Sequence, residues 1–266
     1  MNKISIGCIA ALFCSFNLDA NLLVTPTRAE LDDVSQRSSV FSLVNKGTST
    51  ARYNIYFEDK VQLAEGGYRA VDDSKAVLSQ FVRYSPRRVT LEPEQGTRVR
   101  MAVRIPKNTP IAEYRSYIVF HEIPLTPVIL NETSDDNTDT FSLSVTAYMR
   151  ISIPVILRVG DLNGEVTIDA VTDEKVQTSL NVTIMRQGQR STYGDIELFV
   201  EKNAHGMIQL ESVGSVKNAA IYTELDKRSF SVTLSRALKK GTEVIVRYTE
   251  SKTLKDAKIV EKRIVI

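Results

Sequence analysis

General acid–base chemistry near neutral pH would fall to two histidines, His121 and His205, since imidazole is the side chain whose ordinary pKa lies there. His121 sits in a strand-like run and reads as a structural or interface residue. His205 stands in a turn, Asn203-Ala204-His205-Gly206. The two cysteines, Cys8 and Cys14, both lie near the start of the chain. No glycine-rich phosphate loop precedes a helix, and no His-Glu-x-x-His zinc pattern occurs. The acidic stretch at residues 131–139 has carboxylates enough for calcium but lacks the glycine and closing glutamate of an EF-hand loop. It reads as a solvated loop. The expectation is therefore no catalytic residue, no metal and no cofactor. The Asn-x-Thr sequons at Asn131 and Asn181 match a glycosylation pattern by type alone.

The chemistry left is that of surfaces, and the elements that build them can be read along the chain. The 266 residues are 42% hydrophobic and 25% charged with a formal net charge of +2, a globular balance with no pull toward a polyanion. Lys/Arg residues are scattered or alternate along strands, so nucleic-acid binding is not expected. Residues 1–20 read as an export signal: Lys3, then an uncharged, mostly apolar run, then Leu18-Asp19-Ala20. That run is shorter than the roughly 20 apolar residues of a membrane span, and no later segment is long and apolar enough. The expected product is exported, not inserted in a membrane, and free of cysteine after cleavage at Ala20. Its stability must then come from packed cores rather than disulfides.

From residue 21 onward the pattern is that of strands. Residues 97–105 alternate, placing Val99, Met101, Val103 and Ile105 on one face and Arg98, Arg100 and Arg104 on the other. Similar runs occur at 40–44, 53–57, 117–121 and 141–157, and again at 165–170, 180–185, 196–200, 229–234, 243–248 and 259–266. Short strands at such spacing, broken by Gly, Pro, Asn and Asp, predict an all-β chain of two immunoglobulin-like β-sandwich domains, each of about 100 residues. The glycine-bearing turn Val159-Gly160-Asp161-Leu162-Asn163-Gly164 puts the boundary between 21–159 and 160–266.

Four stretches give this pattern a closer likeness. They are Thr27-Arg28-Ala29-Glu30-Leu31, the run from Tyr84 to Pro93, the run from Glu113 through Glu122-Ile123-Pro124, and residues 141–158. Together they resemble the periplasmic chaperones of the chaperone–usher pilus pathway. The motifs cover roughly residues 21–160, and the second domain matches by size and strand pattern.

The resemblance implies a periplasmic chaperone that caps pilin subunits by donor-strand complementation and hands them to an outer-membrane usher. It implies that Arg28 anchors the subunit's terminal carboxylate while Leu143, Val145, Ala147 and Met149 fill the subunit's open groove. Aligning the family's strand arginine with Arg158 puts Pro154 where the family has a lysine, which leaves Arg150 as the substitute cation. It further implies a charge cluster between the domains in which Glu122 meets Arg158, with Glu250 as the third member. The alternative is an exported structural or adhesive protein of the same fold, such as a pilus subunit.

Overall fold

The computed structural model describes residues 21–71, 77–125, 147–173, 178–204 and 207–266. The expected signal, both cysteines, the acidic stretch, His205, Leu143 and Val145 lie outside them. The first eleven strands are β1 (Leu22–Thr25), β2 (Ala29–Asp32), β3 (Ser38–Asn45), β4 (Ala51–Glu58), β5 (Lys60–Gln62), β6 (Tyr68–Ala70), β7 (Val82–Ser85), β8 (Arg88–Leu91), β9 (Gly96–Val103), β10 (Ala112–Ile123) and β11 (Arg150–Val159). They form a sheet of order β1-β3-β9-β7 stacked on one of order β2-β11-β10-β4-β8, with β5 and β6 as a separate hairpin. Between these strands stands one 3-10 turn, Ser79–Phe81.

The period-two patterns explain the packing of this first sandwich. In β9 the side chains of Val99, Met101 and Val103 are buried and their neighbours exposed. Ile105 lies past the strand's end yet still packs on the same core. Facing them from the other sheet are Ile118 and Phe120 of β10 and Ile153, Val155 and Leu157 of β11. Phe41 and Phe120 meet edge to face, centroids 5.9 Å apart. Burying each such side chain contributes about 1.5–3 kcal/mol. Asn45 is the buried polar exception, and it is satisfied: its amide donates to the carbonyls of Ser49 and Leu91 and its oxygen accepts from Gly47 N–H.

The second set comprises β12 (Gly164–Asp173), β13 (Ser179–Gly188), β14 (Thr192–Ala204), β15 (Met207–Ile221), β16 (Lys227–Thr233), β17 (Glu243–Glu250) and β18 (Ile259–Val265). A β12-β13-β16 sheet packs on a β15-β14-β17-β18 sheet. The whole is an all-β chain of two immunoglobulin-like sandwiches, and no described helix is long and apolar enough to cross a membrane. Gly160 has φ of +79°, and a Cβ there would lie 2.9 Å from Ile111, so the turn after β11 favours glycine.

Two strand expectations need correcting. The fifteen-residue β15 escaped the sequence reading because most of its length is exposed on both faces, which erases the alternation. Of the strand expected at 141–157, residues 141–146 lie outside the described residues, and among the described ones the strand runs from Arg150. Residues 147–149 are extended chain outside the ladder, tied to β10 where Glu122 N–H donates to the Met149 carbonyl at 2.9 Å.

Candidate functional site: the junction of the sandwiches and the open edge of β11

Arg158, near the end of β11, stands at the centre of the junction. Its Nε lies 3.1 Å from Glu113 and its Nη1 3.0 Å from Glu30, both of the first sandwich. Its Nη2 donates to the hydroxyl of Tyr193, in β14 of the second, at 2.8 Å. Glu113 in turn accepts from Ser191 N–H at 3.1 Å. Burial works against the Arg158 charge, but Tyr193 and Glu113 outweigh it and hold the guanidinium protonated beyond the ordinary arginine range. Burial would raise the Glu30 pKa, yet hydrogen bonds from Thr253, Tyr193 and Arg158 bring it below the usual carboxylate value.

Glu122 does not belong to this cluster, and its expected meeting with Arg158 is corrected. β10 and β11 run antiparallel with Glu113 opposite Arg158 and His121 opposite Arg150. Glu122 therefore sits about 30 Å up β10 from Arg158, at about 3.4 Å per residue. There it lies opposite Tyr53 and accepts from Met149 N–H. Burial and the Glu122 charge push the Tyr53 hydroxyl up to about 12. Glu250 is also one step removed. It is buried against Arg190 (2.9 Å), Thr192 and Lys258 N–H, all in the second sandwich. Its contribution to the junction is indirect: it holds the turn that carries Ser191 to Glu113.

A second clasp closes the junction from β5 and β10. Arg115 is buried, paired in a fork with Glu224 of the second sandwich, and stacked 3.8 Å over the Tyr222 ring. Gln62 is buried between the same partners, donating to the Ala220 carbonyl and accepting from Tyr222 N–H. Ile156 of β11 completes the contact by packing with Tyr193, Ala220, Tyr222 and Leu254.

Arg28 enters this junction just before β2. It is half-buried, with its guanidinium 3.7 Å over the Tyr193 ring and Nη2 donating to Asn218 at 2.7 Å. Unlike Arg115 and Arg158, it belongs to no ion pair among the described residues. Its Nε is buried without a hydrogen-bond partner.

β2 pairs with β11 only from Val155 to Arg158. The preceding stretch, Arg150 to Pro154, is held by β10 on one side and, among the described residues, by no strand on the other. Pro154 stands where the second neighbour begins, and proline is tolerated in strands at such an edge. Arg150 lies at the strand's open end, paired at 2.7 Å with Glu58, which also pairs with Lys60 at 2.8 Å. Lys60 Nζ reaches Ser152 of β11 at 3.0 Å. Arg150 is thus partnered and about four residues, or about 13 Å, up the strand from the level of Arg28. Ala147 is exposed and Met149 half-buried on the approach to β11.

Sequence reasoning missed Glu30, Glu113, Tyr193, Arg115, Glu224, Gln62 and Tyr222. Glu30, Glu113 and Arg115 had a signal, since all three lie inside the stretches that carried the likeness. Among the described residues no group of three or more His, Cys, Asp or Glu side chains is placed to hold a metal ion.

No family model matches the chain, and no curated protein matches it. Among solved structures it is similar to the YadV chaperone, with 12% identity over 93% of this chain and 100% of that one and a TM-score of 0.47. It is similar to the class 5 fimbriae chaperone CfaA, with 12% identity over 92% and 98% and a TM-score of 0.46. A third is the CsuC–CsuE chaperone–tip adhesion subunit complex from the archaic chaperone–usher Csu pili of Acinetobacter baumannii, with 13% identity over 91% and 98% and a TM-score of 0.47.

Proposed function

We propose that this protein is a periplasmic, non-enzymatic chaperone that holds a pilin-type subunit on β11 and on the chain leading into it, before passing the subunit to an outer-membrane usher. The observation that carries this reading is the open edge of β11 beside the carboxylate-free Arg28. An unpaired strand edge offers a row of N–H and C=O groups to an incoming strand. A guanidinium without an acidic partner can take a terminal carboxylate through two parallel hydrogen bonds. Arg28 sits level with the point where β2 takes over pairing from the open edge. A chain end gripped there would set the register of a strand laid along Arg150 to Pro154 and the residues before them. Register matters because a one-residue slip turns alternate side chains to the wrong face. Leu143, Val145, Ala147 and Met149 share one parity and are the side chains assigned to the subunit's groove. Arg150 and Lys60, which share Glu58, supply positive charge near the same edge. The division of labour is a first domain over 21–159 that binds the subunit and a second over 160–266 that completes the Arg28 pocket.

The test is coexpression with a pilin subunit in the periplasm, followed by size-exclusion chromatography. Arg28→Ala and Val145→Asp are each expected to abolish the stable complex while leaving the chaperone folded, as checked by circular dichroism and a cooperative thermal melt of each variant alone. Val145→Asp acts by burying an unpaired charge in the subunit. Full complex formation by Arg28→Ala would move the anchor elsewhere, and full complex formation by Val145→Asp would remove this strand as the donor.

A further inference from the structure

The outward face of the β1-β3-β9-β7 sheet carries an uncompensated stripe of arginines. Arg98, Arg100 and Arg104 point outward at alternate positions along and just beyond β9, and Arg83 joins them from β7, directly opposite Ala102. The cross-strand neighbours are neutral: Arg98 faces Ser42, Arg100 faces Val40 and Ser85, and Ala102 faces Ser38. All four arginines are exposed, and none is in an ion pair among the described residues. Like charges on neighbouring positions of a sheet repel, so the face is at its least favourable when empty. A shallow groove of about 530 Å³ runs over it, with Arg83, Arg98, Arg100 and Val40 in its lining.

From this arrangement we infer that the groove over β9 is a docking site for an extended acidic segment of another polypeptide, with carboxylates at alternate positions. The charge is complementary. The spacing also agrees: alternate residues on any strand are about 6.8 Å apart, so carboxylates on every second residue of an extended chain meet Arg98 and Arg100 in step. Guanidinium forks bind carboxylates bidentately. Ser38, Ser42 and Ser85 add neutral hydrogen-bonding groups, and the exposed Val40 provides apolar footing between them. Single-stranded nucleic acid is disfavoured because Tyr84, the aromatic residue in the groove's lining, packs against the core with its ring against Phe57 and so offers bases no open face to stack on. A bilayer is disfavoured because the charges line a concavity that a planar surface would bridge. The site lies on the sheet that does not contain β11, so it does not rest on the chaperone reading and leaves the β11 edge open.

The experiment is fluorescence anisotropy of a short fluorescein-labelled peptide of alternating glutamate and serine, titrated with the exported protein at low and high salt. Binding that weakens with salt is expected, and Arg98→Glu with Arg100→Glu should weaken it by about tenfold or more. The neutral pair Arg98→Gln with Arg100→Gln should fall between, and it serves as the reading should the charge-reversed protein melt early. Arg69→Glu, an exposed arginine on β6, should bind as the parent does. No binding by the parent, equal binding by both double variants, or an equal loss in Arg69→Glu would overturn the proposal. So would retention of the protein by phosphatidylglycerol vesicles or an oligothymidylate in preference to the peptide.

Discussion

Arg158 of β11 donates to the hydroxyl of Tyr193 at 2.8 Å, joining the last strand of one sandwich to an inner strand of the other. The same guanidinium is held from behind by Glu30 and Glu113 of its own sandwich. One planar, permanently charged group thus ties β2 and β10 of its own sheet to β14 of the neighbouring sandwich through three separate contacts, a geometry that lysine's single nitrogen would not reproduce.

Removing that group should be costly. Arg158→Ala leaves Glu113, whose side chain is 1% exposed, without its countercharge. The expected loss is about 3–5 kcal/mol, read as a lower urea midpoint. Adding Glu113→Gln to the alanine variant should recover part of it. If the two losses simply add, the pair is not coupled.

The Arg115 clasp should govern whether the sandwiches unfold together. Arg115→Ala combined with Gln62→Ala removes the fork to Glu224 and both side-chain hydrogen bonds of Gln62 to the second sandwich, leaving the Gln62 N–H bond to Glu224. Domains joined by a weakened interface lose cooperativity. Calorimetry should then show two transitions where the parent shows one. A single, merely shifted transition in the double variant would assign the coupling to Arg158 alone.

Acid should loosen the molecule in a defined window. For Glu30 and Glu58 burial raises the pKa, but hydrogen bonds and neighbouring cations bring both below the ordinary glutamate value of 4.5. Asp256 is lowered below 3.8 the same way, chiefly by Arg190. Asp32 is lowered to about 2: burial would raise it, but hydrogen bonds from Ser35, Gln36 and Val34 prevail. A carboxylate depressed in the folded state stabilises fully above its unfolded pKa, and that contribution is lost as pH falls toward its folded pKa. Stability from these groups should hold down to about pH 5 and decline progressively below the ordinary carboxylate range. Asp32 is largely solvated and contributes little to that decline. Glu30→Gln should flatten part of the urea-midpoint profile between pH 5 and 3. An unchanged profile would exclude Glu30 as a source.

Two glycines should respond to alanine for different reasons. A Cβ at Gly194 would lie 2.1 Å from the Thr249 carbonyl oxygen of β17, so the strands must part. The expected cost is about 1–3 kcal/mol or more. At Gly241 nothing lies within 4 Å, but φ is +86°, so alanine should cost only the backbone term of about 1–2 kcal/mol. Urea midpoints that rank Gly241→Ala as the more damaging would contradict this order.

Many of the longer strands, and the buried face of β9, were legible in the chain itself. Val99, Met101 and Val103 alternate with outward arginines because successive side chains of any strand point to opposite faces, a property that needs no partner to be seen. The turn at Gly160 was legible from its glycine, which takes the positive φ found there at no steric cost. Where exposure erased the alternation, as in β15, the strand was invisible. The choice of partner for Arg158 was decided only by tertiary structure. Glu122 and Glu113 both stand on β10, and no local feature separates them as candidates. The antiparallel register of β10 against β11 brings Glu113 to Arg158 and carries Glu122 to the other end of the strand. Arg115 and Glu224, 109 residues apart, meet because two separately packed sandwiches dock on Ile156, Tyr193 and Tyr222. A contact of that kind depends on how folded surfaces fit together, and side-chain periodicity within a strand carries no information about it.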